Sequence, residues 1–206
     1  MTTPLRSGHL AAIYDILDFL GALKDADEDA LWSRIVEKLS VAFDCEAATY
    51  YSFLNSKRQL LPRYSLGARA KDMHGTAVDI RTGICGWVAT HREPLIIDDA
   101  YQDDRFLREV DLVTGFRTKT VLAVPLLDRM DLLGVVQFLN KKGGPFNDED
   151  LRLAEVVARC AALGLRALRL ESTVDKVASR NQSILESLGG GFMAIDTHGK
   201  IILCNP

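Results

Sequence analysis

The chain has 206 residues, of which 48% are hydrophobic and 26% are charged, a composition that supports one substantial soluble core. Its formal net charge of −3 provides no basic field that would attract nucleic acid or anionic lipid. No apolar run reaches membrane-spanning length, and Asp15 and Asp18 interrupt the apolar stretch near the N-terminus, unlike a signal peptide. We therefore expect a cytoplasmic protein without a nucleic-acid or membrane partner.

The first part of the chain predicts two helices followed by two strands. The first helix has four apolar residues on one face, Leu10, Ile13, Leu17 and Leu20. Residues 27–44 repeat this periodicity, with acidic residues in the first turn. Residues 45–54 and 59–66 predict paired strands across a polar turn, and Pro62 marks the second strand as an edge or bulged strand.

The centre of the chain predicts shorter elements and then a hairpin. Residues 84–91 indicate a short helix that opens at Thr82–Gly83, and residues 94–99 indicate a short strand. Residues 103–115 predict a further short helix or an irregular cover. Residues 120–140 contain two apolar runs about a charged turn, which is typical of a buried hairpin. Together these elements predict one antiparallel sheet with helices on one face and a mobile cover on the other.

The loop that follows the last predicted strand reads NKKGGPFNDED and has specific polar groups. Asn140 and Lys141 end the strand, Phe146 supplies an apolar anchor, and the four residues after it have the composition of a helix start. From the residues alone, the favoured interpretation is a solvated Lys141 and a helix cap at Asp148 or Asp150.

The central part of the chain resembles a GAF domain. Three stretches show the resemblance in order and with compatible spacing: GICGWVATHREPLIIDDAYQDDRF, VDLVTGFRTKT and VLAVPLLDRMDLLGVVQFLNKK. The resemblance covers residues 27–165. It implies an α/β (α+β) fold with a GAF-like central antiparallel sheet, helices packed on one face, a ligand pocket under loops on the other, and long N- and C-terminal helices.

A narrower resemblance concerns the loop after the last strand. Asn140, Lys141, Phe146 and Asp150 match the N-K-F-D signature of GAF domains in cyclic-nucleotide phosphodiesterases and adenylyl cyclases. In that subfamily the lysine and the aspartate pair and support the corner beside the pocket, so the resemblance implies support and not a ligand contact. Leu151 stands where that pattern usually has another charged residue, which leaves the signature incomplete.

The resemblance implies a pocket for a cyclic nucleotide, either cAMP or cGMP. Such a ligand needs backbone amides for its phosphate, polar groups for its ribose and base, and apolar walls. A helix that opens at Gly83 offers unpaired N–H groups for the phosphate. The candidate ligand-binding residues are Ile84 and Cys85 at this helix start, Asp111, Thr114 and Thr118 in a VD..TG..T pattern, and Gln137 on the sheet floor.

Each polar candidate also has a purely structural alternative. Asp111 and Thr114 are suited to capping the covering helix, Thr118 to beginning a strand, and Gln137 to facing water. The sequence is compatible with both roles for each residue. It is equally compatible with cAMP and cGMP, because a Gln or a Thr presents both donors and acceptors.

Neither catalysis nor a resident cofactor is predicted. No nucleophile elbow, P-loop or metal-binding His/Glu motif occurs, so we assign no catalytic or metal-ligating residue. A bilin site would commonly have a His after its cysteine, whereas Cys85 precedes Gly86, and neither His74 nor His91 has a partner pattern for haem. The four cysteines form no C-x-x-C pair, so we expect small buried hydrophobes.

From Leu153 onward, apolar residues recur at alternating steps of three and four, the a/d repeat of a coiled coil. Stripe residues before about 165 are expected to pack on their own sheet, whereas the later ones need a partner, for which a second copy is favoured. Asn181 falls at an a position, where a buried amide selects a parallel pair. The predicted dimer seam is Leu163, Ala167, Leu170, Val174, Val177 and Asn181.

The C-terminal stretch, residues 184–206, resembles the opening of a PAS domain, with strands GFMAID and IILCNP around the turn THGK. It stops before such a domain would have a core. The predicted organisation is an N-terminal dimerisation helix at 1–24, a GAF domain at 25–165, a signalling-helix linker at 166–183 and this truncated PAS start.

The sequence thus predicts a regulatory sensor domain of a homodimeric signal-transduction protein, and not an enzyme. The favoured ligand is a cyclic nucleotide, whose binding would shift the helix pair and bias a downstream cyclase, phosphodiesterase or kinase. The longer protein is expected to have the catalytic output domain, such as an adenylyl cyclase or a histidine kinase. Two alternatives are a sensor of another small molecule, in a histidine kinase or transcriptional regulator, and a ligand-free dimerisation module.

Overall fold

The computed structural model describes residues 7–22, 28–67, 77–187 and 193–204. The helices in these ranges are α1 (Ser7–Ala22), α2 (Glu28–Phe43), α3 (Gly83–His91), α4 (Arg108–Thr114) and α5 (Asp148–Ser187). The strands are β1 (Cys45–Leu54), β2 (Gln59–Leu66), β3 (Val78–Asp79), β4 (Leu95–Ile97), β5 (Val121–Asp128), β6 (Asp131–Lys141), β7 (Met193–Ile195) and β8 (Ile201–Cys204). The chain divides into two compact units, the first ending at Arg166 and the second beginning at Ala167. None of the described helices is long and apolar enough to span a membrane.

Six strands of the first unit form one antiparallel sheet in the order β3-β2-β1-β6-β5-β4. This arrangement confirms the predicted central antiparallel sheet and both predicted hairpins, β1–β2 and β5–β6. The sequence did not predict β3, because its two residues lie in a polar segment without an alternating pattern. Residues 68–76, which form the first part of that segment, lie outside the described residues.

Pro62 affects β2 in the predicted way. The register between β1 and β2 shifts between Tyr50 and Tyr51, where Tyr51 pairs with Pro62, and this shift marks a β-bulge. The other neighbour, β3, pairs only with the first two residues of β2. Within the described residues, Pro62 therefore has no ladder partner on that side, which suits a residue without a backbone N–H.

The larger core lies between the sheet and helices α1, α2 and α5. Trp32 of α2 stacks on Tyr50 of β1 with ring centroids 4.5 Å apart, and Phe43 meets Phe138 of β6 edge-on at 4.9 Å. All four rings are buried. Each fully buried side chain of this size contributes roughly 3 kcal/mol of transfer free energy, so this layer is the main source of stability of the domain.

The opposite face of the sheet is covered by α3, α4 and a short 3₁₀ turn, Ala100–Gln102. Ile84 and Val88 of α3 join a second buried cluster with Val121 of β5 and Val135 of β6. Helix α3 packs on β5 and β6, and α4 meets this cluster through Val110. The predicted cover, residues 103–115, contains α4. Any ligand pocket on this face lies between the cover and the strands.

The apolar stripe predicted for α1 divides between two environments. Leu20 packs inside the domain against Gly164 of α5, where an added Cβ would lie 2.8 Å from the Leu20 side chain. Leu17 is 44% exposed, whereas Ile16, which is not in the predicted stripe, is only 1% exposed. The side chain of Leu10 lies outside the described residues. Helix α2 packs against α1, and Ile16 lies at helical spacing from Ile13 and Leu20, so local periodicity fits Ile16 as well as Leu17.

Helix α5 has two different apolar faces. The face toward the sheet is buried and consists of Leu153, Ala154, Val157, Ala158, Ala161, Ala162 and Leu165. A second set, spaced seven residues apart, is exposed: Val156, Leu163, Leu170 and Val177. The expectation that the early part of the stripe packs on the sheet holds for Leu153 but is wrong for Val156 and Leu163. A repeat of 3.5 residues diverges from the 3.6-residue period of a straight helix, so the two faces separate along α5.

The second unit contains an antiparallel hairpin of β7 and β8. Its turn is held by the Asp196 carboxylate, which accepts hydrogen bonds from the backbone N–H groups of His198 at 2.8 Å and Lys200 at 2.9 Å. Both strands lie where the sequence predicted them. The assignment of this hairpin to a PAS domain stays a prediction.

Candidate functional site

A small cleft lies on the covered face of the sheet, between the strands and the segment that leads into α4. Its lining consists of Tyr51, Val78, Thr82, Gly83, Ile84, Cys85, Phe106, Leu107, Val110 and Gln137. The cleft has a volume of about 60 Å³. Pockets for drug-sized ligands start at about 300 Å³, so the cover is closed in this structure.

The first turn of α3 borders this cleft and has no side-chain cap. Thr82 occupies the N-cap position, but its hydroxyl donates to the Asp79 carbonyl 3.0 Å away instead of accepting from the helix. Ile84 and Cys85, both predicted at this site, are buried in the lining. The N-terminus of a helix has partial positive charge, so this wall of the cleft is suited to an anionic group.

Gln137 of β6 lies on the floor of the cleft and is 8% exposed. It sits between Thr49 of β1 and Ala123 of β5 in the sheet register. Its amide has no hydrogen-bond partner among the described residues. Although the residue is only 8% exposed, its amide is not fully buried, so it is accessible from the cleft to a polar ligand. The alternative role, in which the amide faces water, stays a prediction beside the ligand contact.

Asp111 and Thr118 are both buried but do not line the cleft. The Asp111 carboxylate accepts from the backbone N–H of Thr118 at 2.6 Å and from its hydroxyl at 2.7 Å. The Tyr101 hydroxyl donates to the same carboxylate at 3.3 Å. In the closed structure these two candidates bond to each other, and they tie α4 to the segment that enters β5.

Thr114, the last residue of α4, also lies outside the cleft lining. Its hydroxyl donates to the Val110 carbonyl one turn earlier at 2.8 Å and accepts from the Phe116 N–H at 3.4 Å. This local bonding at a helix end corresponds to the structural alternative for Thr114.

The corner between β6 and α5 is built around Asp150, which is 1% exposed. Lys141 donates to the Asp150 carboxylate, so the interpretation of a solvated Lys141 is wrong and the pair implied by the resemblance is present. Asn147, rather than Asp148 or Asp150, is the helix cap, because its side chain accepts from the N–H groups of Glu149 and Asp150 at 2.9 and 3.1 Å. The Asp150 carboxylate accepts from the Asn147 N–H at 3.0 Å, which completes a capping box.

Asn140 and Phe146 complete the signature with different contacts. The Asn140 side chain donates to the Arg117 carbonyl at 2.8 Å and accepts from the Lys119 N–H at 2.6 Å, so it binds the backbone on both sides of Thr118. Phe146 is buried and meets the Phe43 ring edge-on at 6.1 Å. The four signature residues therefore do not line the cleft. They support it by joining β6, α5 and the segment that anchors α4.

The N-terminal side of the cover has its own anchor at Asp103. The Asp103 carboxylate accepts from the Arg105 guanidinium at 2.8 and 2.6 Å, and these hydrogen bonds hold the pKa of Asp103 below its ordinary value. The Arg105 guanidinium also lies over the Trp87 ring of α3, 4.7 Å from its centroid. The segment just before Phe106 and Leu107 is thus attached to α3.

Sequence reasoning predicted three of the lining residues, Ile84, Cys85 and Gln137, and missed the apolar wall. The main missed residues are Phe106, Leu107 and Val110 of the cover, with Tyr51 and Val78 from the sheet. The run RFLREV contained the signal, since its apolar residues recur at helical spacing beside charged ones. Within the described ranges, no three His, Cys, Asp or Glu residues are grouped closely enough to hold a metal ion.

An antiparallel sheet with a helical layer on one face and a covered cleft on the other defines the class of protein, an α/β domain with room for a small molecule. The chain belongs to the GAF domain family, whose profile matches residues 27–165. GAF domains are regulatory sensors, so the predicted class of function is confirmed.

Two relatives are 3′,5′-cyclic phosphodiesterases by name. The chain is 31% identical to the probable 3′,5′-cyclic phosphodiesterase pde-5 of Caenorhabditis elegans over 182 residues, which cover 86% of this chain and 23% of the relative. It is 40% identical to the dual 3′,5′-cyclic-AMP and -GMP phosphodiesterase 11 of Drosophila melanogaster over 107 residues, which cover 51% of this chain and 7% of the relative. The chain thus spans less than a quarter of the length of either protein.

Solved structures with low sequence identity share the fold. The GAF domain of a phosphoenolpyruvate-protein phosphotransferase from Coxiella burnetii has a TM-score of 0.69 at 16% identity, covering 81% of this chain and 97% of that domain. The free methionine-R-sulfoxide reductase of Neisseria meningitidis has a TM-score of 0.68 at 14% identity, covering 83% of this chain and 97% of the reductase. These similarities establish the architecture of the domain.

Proposed function

We propose that the cleft binds a cyclic nucleotide, cAMP or cGMP, and that the chain regulates a longer signalling protein. The amide of Gln137, which lines the cleft and has no hydrogen-bond partner among the described residues, is the observation on which the proposal rests, because it offers a donor and an acceptor to a base edge. The uncapped first turn of α3, with Ile84 and Cys85, supplies backbone dipoles for the single charge of a cyclic phosphate. The two phosphodiesterase relatives support this choice of ligand.

The closed volume of about 60 Å³ means that a nucleotide can enter only if the cover moves. Phe106, Leu107 and Val110 form the part of the lining that belongs to the cover. Under the proposal, Asp111 and Thr118 keep their mutual hydrogen bonds and hold α4 in place when the cover opens. Thr114 keeps its local hydrogen bonds at the end of α4. In this proposal, Asp111, Thr114 and Thr118 do not contact the ligand directly, unlike in the assignment made from the sequence.

Calorimetric titration of ligand-free protein with cAMP and with cGMP tests the proposal. We expect binding of at least one nucleotide, and we expect Gln137→Leu to weaken it by about tenfold or more, since a lost hydrogen bond in a buried site costs 1 kcal/mol or more. The same variant should keep the stability of the free domain, because the amide makes no hydrogen bond to another described residue. Gln102→Leu, the same change at an exposed position outside the lining, is the matched control.

Two results would contradict this assignment. If neither nucleotide binds, the small closed volume favours the alternative of a smaller ligand or of no ligand. If a nucleotide binds and Gln137→Leu has no effect, the amide does not read the base.

We also propose that two copies of the chain pair along α5, with α1 in the same bundle. The seven-residue spacing of exposed Leu163, Leu170 and Val177 supports this pairing. Ala167 is exposed as well, and the side chains of Val174 and Asn181 lie outside the described residues. An exposed apolar stripe of this period is buried when two helices pair.

Within this proposal, nucleotide binding shifts the paired helices and biases a cyclase, phosphodiesterase or kinase domain of the longer protein. The hairpin β7–β8 is then the start of a second sensor domain, of the PAS type. The nucleotide activates the output domain if it binds more tightly to the active arrangement of the paired helices, and inhibits it in the opposite case.

A further inference from the structure

A second concave site lies between the end of α3, the turn between β5 and β6, and α5. It has a volume of about 450 Å³ and shares no lining residue with the cleft. We call it the arginine groove, because its lining includes Arg92, Arg129, Arg159 and Arg166. These arginines come from three separate parts of the chain. The cyclic-nucleotide proposal gives this site no role.

The positive charge of the arginine groove is only partly compensated. Two carboxylates line it, Asp128 and Glu155. Arg166 lies 3.6 Å from Asp128 and Arg159 lies 3.8 Å from Glu155, distances that allow ion pairing but not hydrogen bonding. Four arginines against two carboxylates leave a formal charge of +2 in a chain whose net charge is −3.

The guanidinium groups of the arginine groove are available as donors. Neither Arg92 nor Arg129 has an ion pair or a side-chain hydrogen bond among the described residues. Both have left-handed backbones, with φ of 59° and 56°, at positions that usually suit Gly or Asn. Pro94 and Pro125 lie in the walls, and their restricted backbones favour a preformed site.

We propose that the arginine groove binds a small dianion bearing a phosphate group or a pair of carboxylates. The guanidinium fork matches both groups bidentately, and the volume of the groove is within the usual range for small-molecule sites. A cyclic nucleotide has a single negative charge, so the groove selects a different ligand from the cleft. Its own two carboxylates and the net negative charge of the chain disfavour an extended polyanion such as nucleic acid.

The groove also adjoins the proposed dimer seam. Leu163, an exposed member of the seven-residue repeat, is part of the groove lining, and Arg159 and Arg166 flank it on α5. A ligand held by these two arginines would therefore touch the same helix that the proposed pairing uses. The binding proposal itself depends on neither the dimer nor the nucleotide.

Calorimetric titration of the full chain with inorganic pyrophosphate and with succinate, at constant ionic strength, tests the proposal. We expect binding of pyrophosphate, succinate or both, weakened by about tenfold or more in each of Arg92→Gln and Arg129→Gln, because each variant removes charge-assisted hydrogen bonds. Arg58→Gln is the matched control: Arg58 is exposed, has φ of 51° in the β1–β2 turn and lies outside the groove. Melting temperatures without ligand verify that all variants fold.

The relative affinities distinguish the two ligand classes. Tighter pyrophosphate identifies a phosphate-bearing ligand, and tighter succinate identifies a dicarboxylate. Absence of binding by both probes overturns the proposal, and so does an equal loss in Arg58→Gln, which would indicate charge screening alone. Loss of pyrophosphate binding in Gln137→Leu but not in the two groove variants would place the anion in the cleft, and this too overturns the proposal.

Discussion

At the scale of single residues, Asp150 illustrates how one buried carboxylate serves several elements. It accepts from Lys141 at the end of β6 and from the Asn147 N–H, while its own N–H donates to Asn147. Removing one partner of a buried ion pair leaves an uncompensated charge, which costs far more than losing an exposed pair. The corner is therefore a sensitive point of the domain.

This contrast gives a prediction for two adjacent lysines. Lys141→Met should lower the free energy of unfolding by about 3–5 kcal/mol, because Asp150 is left buried without its cation. Lys142→Met should have little effect, since Lys142 pairs with Asp44 at 3.0 Å on an exposed surface. Urea denaturation of the ligand-free protein measures both changes.

Adding Asp150→Asn to Lys141→Met should recover part of the loss, because the unpaired charge is removed. Equal and small effects of the two lysine variants would mean that Lys141 is solvated after all, and that the corner does not depend on the ion pair.

At the scale of elements, the cover is attached at both of its ends. Asp103 and Arg105 hold the start of the cover near Trp87, and the hydrogen bonds between Asp111 and Thr118 hold α4. Between these attachments lie the apolar residues that close the cleft. We expect the part of the cover between these attachments to move when the cleft opens, while the attachments stay in place.

The Asp103 attachment should make the stability of the domain depend on pH in a defined way. Its pKa is lowered by hydrogen bonds from Arg105, so its stabilising contribution is present above the ordinary carboxylate pKa and is lost as the pH falls through the lowered value. Asp103→Asn should therefore destabilise the domain at neutral pH, and the difference from the parent should vanish in acid. Urea denaturation from about pH 6 down to about pH 2 measures this difference, because the range must extend below the lowered pKa.

Asp104→Asn, at the exposed neighbouring position, is the control for this measurement. A difference between Asp103→Asn and the parent that stays constant over the whole acid range would show that the ionised carboxylate is not what holds the segment.

At the scale of the whole molecule, the exposed repeat on α5 predicts a dimer. Leu170→Glu combined with Val177→Glu should shift sedimentation at micromolar concentration toward the monomer, because it places like charges in the paired seam. Ser179→Glu with Ser183→Glu adds the same charge at exposed positions off the repeat and should leave the dimer intact. A monomeric parent, or a dimer that tolerates both double variants, would mean that α5 does not form the interface.

The sequence was sufficient to predict those secondary-structure elements that have a strong local pattern of apolar and polar residues. The strands β1, β2, β5 and β6 were predictable because apolar runs end at polar turns, and α3 because Thr82–Gly83 precedes its apolar residues. The inward face of α1 was only partly predictable, because both Ile16 and Leu17 lie at helical spacing from Leu20, and packing in the folded domain buries Ile16.

The candidate site was predictable to a similar extent. A motif names Asp111 and Thr118 but does not say whether two polar side chains point into a cleft or toward each other, and here they bond to each other. The Lys141–Asp150 pair came only from the resemblance, because the residues alone favoured a solvated lysine. Burial decides such cases, and burial is a property of the folded chain.

The closed cleft has a consequence for the time course of binding. If the cleft binds a nucleotide as proposed, a site of about 60 Å³ can accept it only after the cover has opened, so opening is an obligatory step before association. At low nucleotide concentration the observed rate should rise in proportion to concentration, and at high concentration it should level off at the opening rate of the cover. Such a sensor would respond to a sudden rise in nucleotide no faster than its own cover opens, however large the rise.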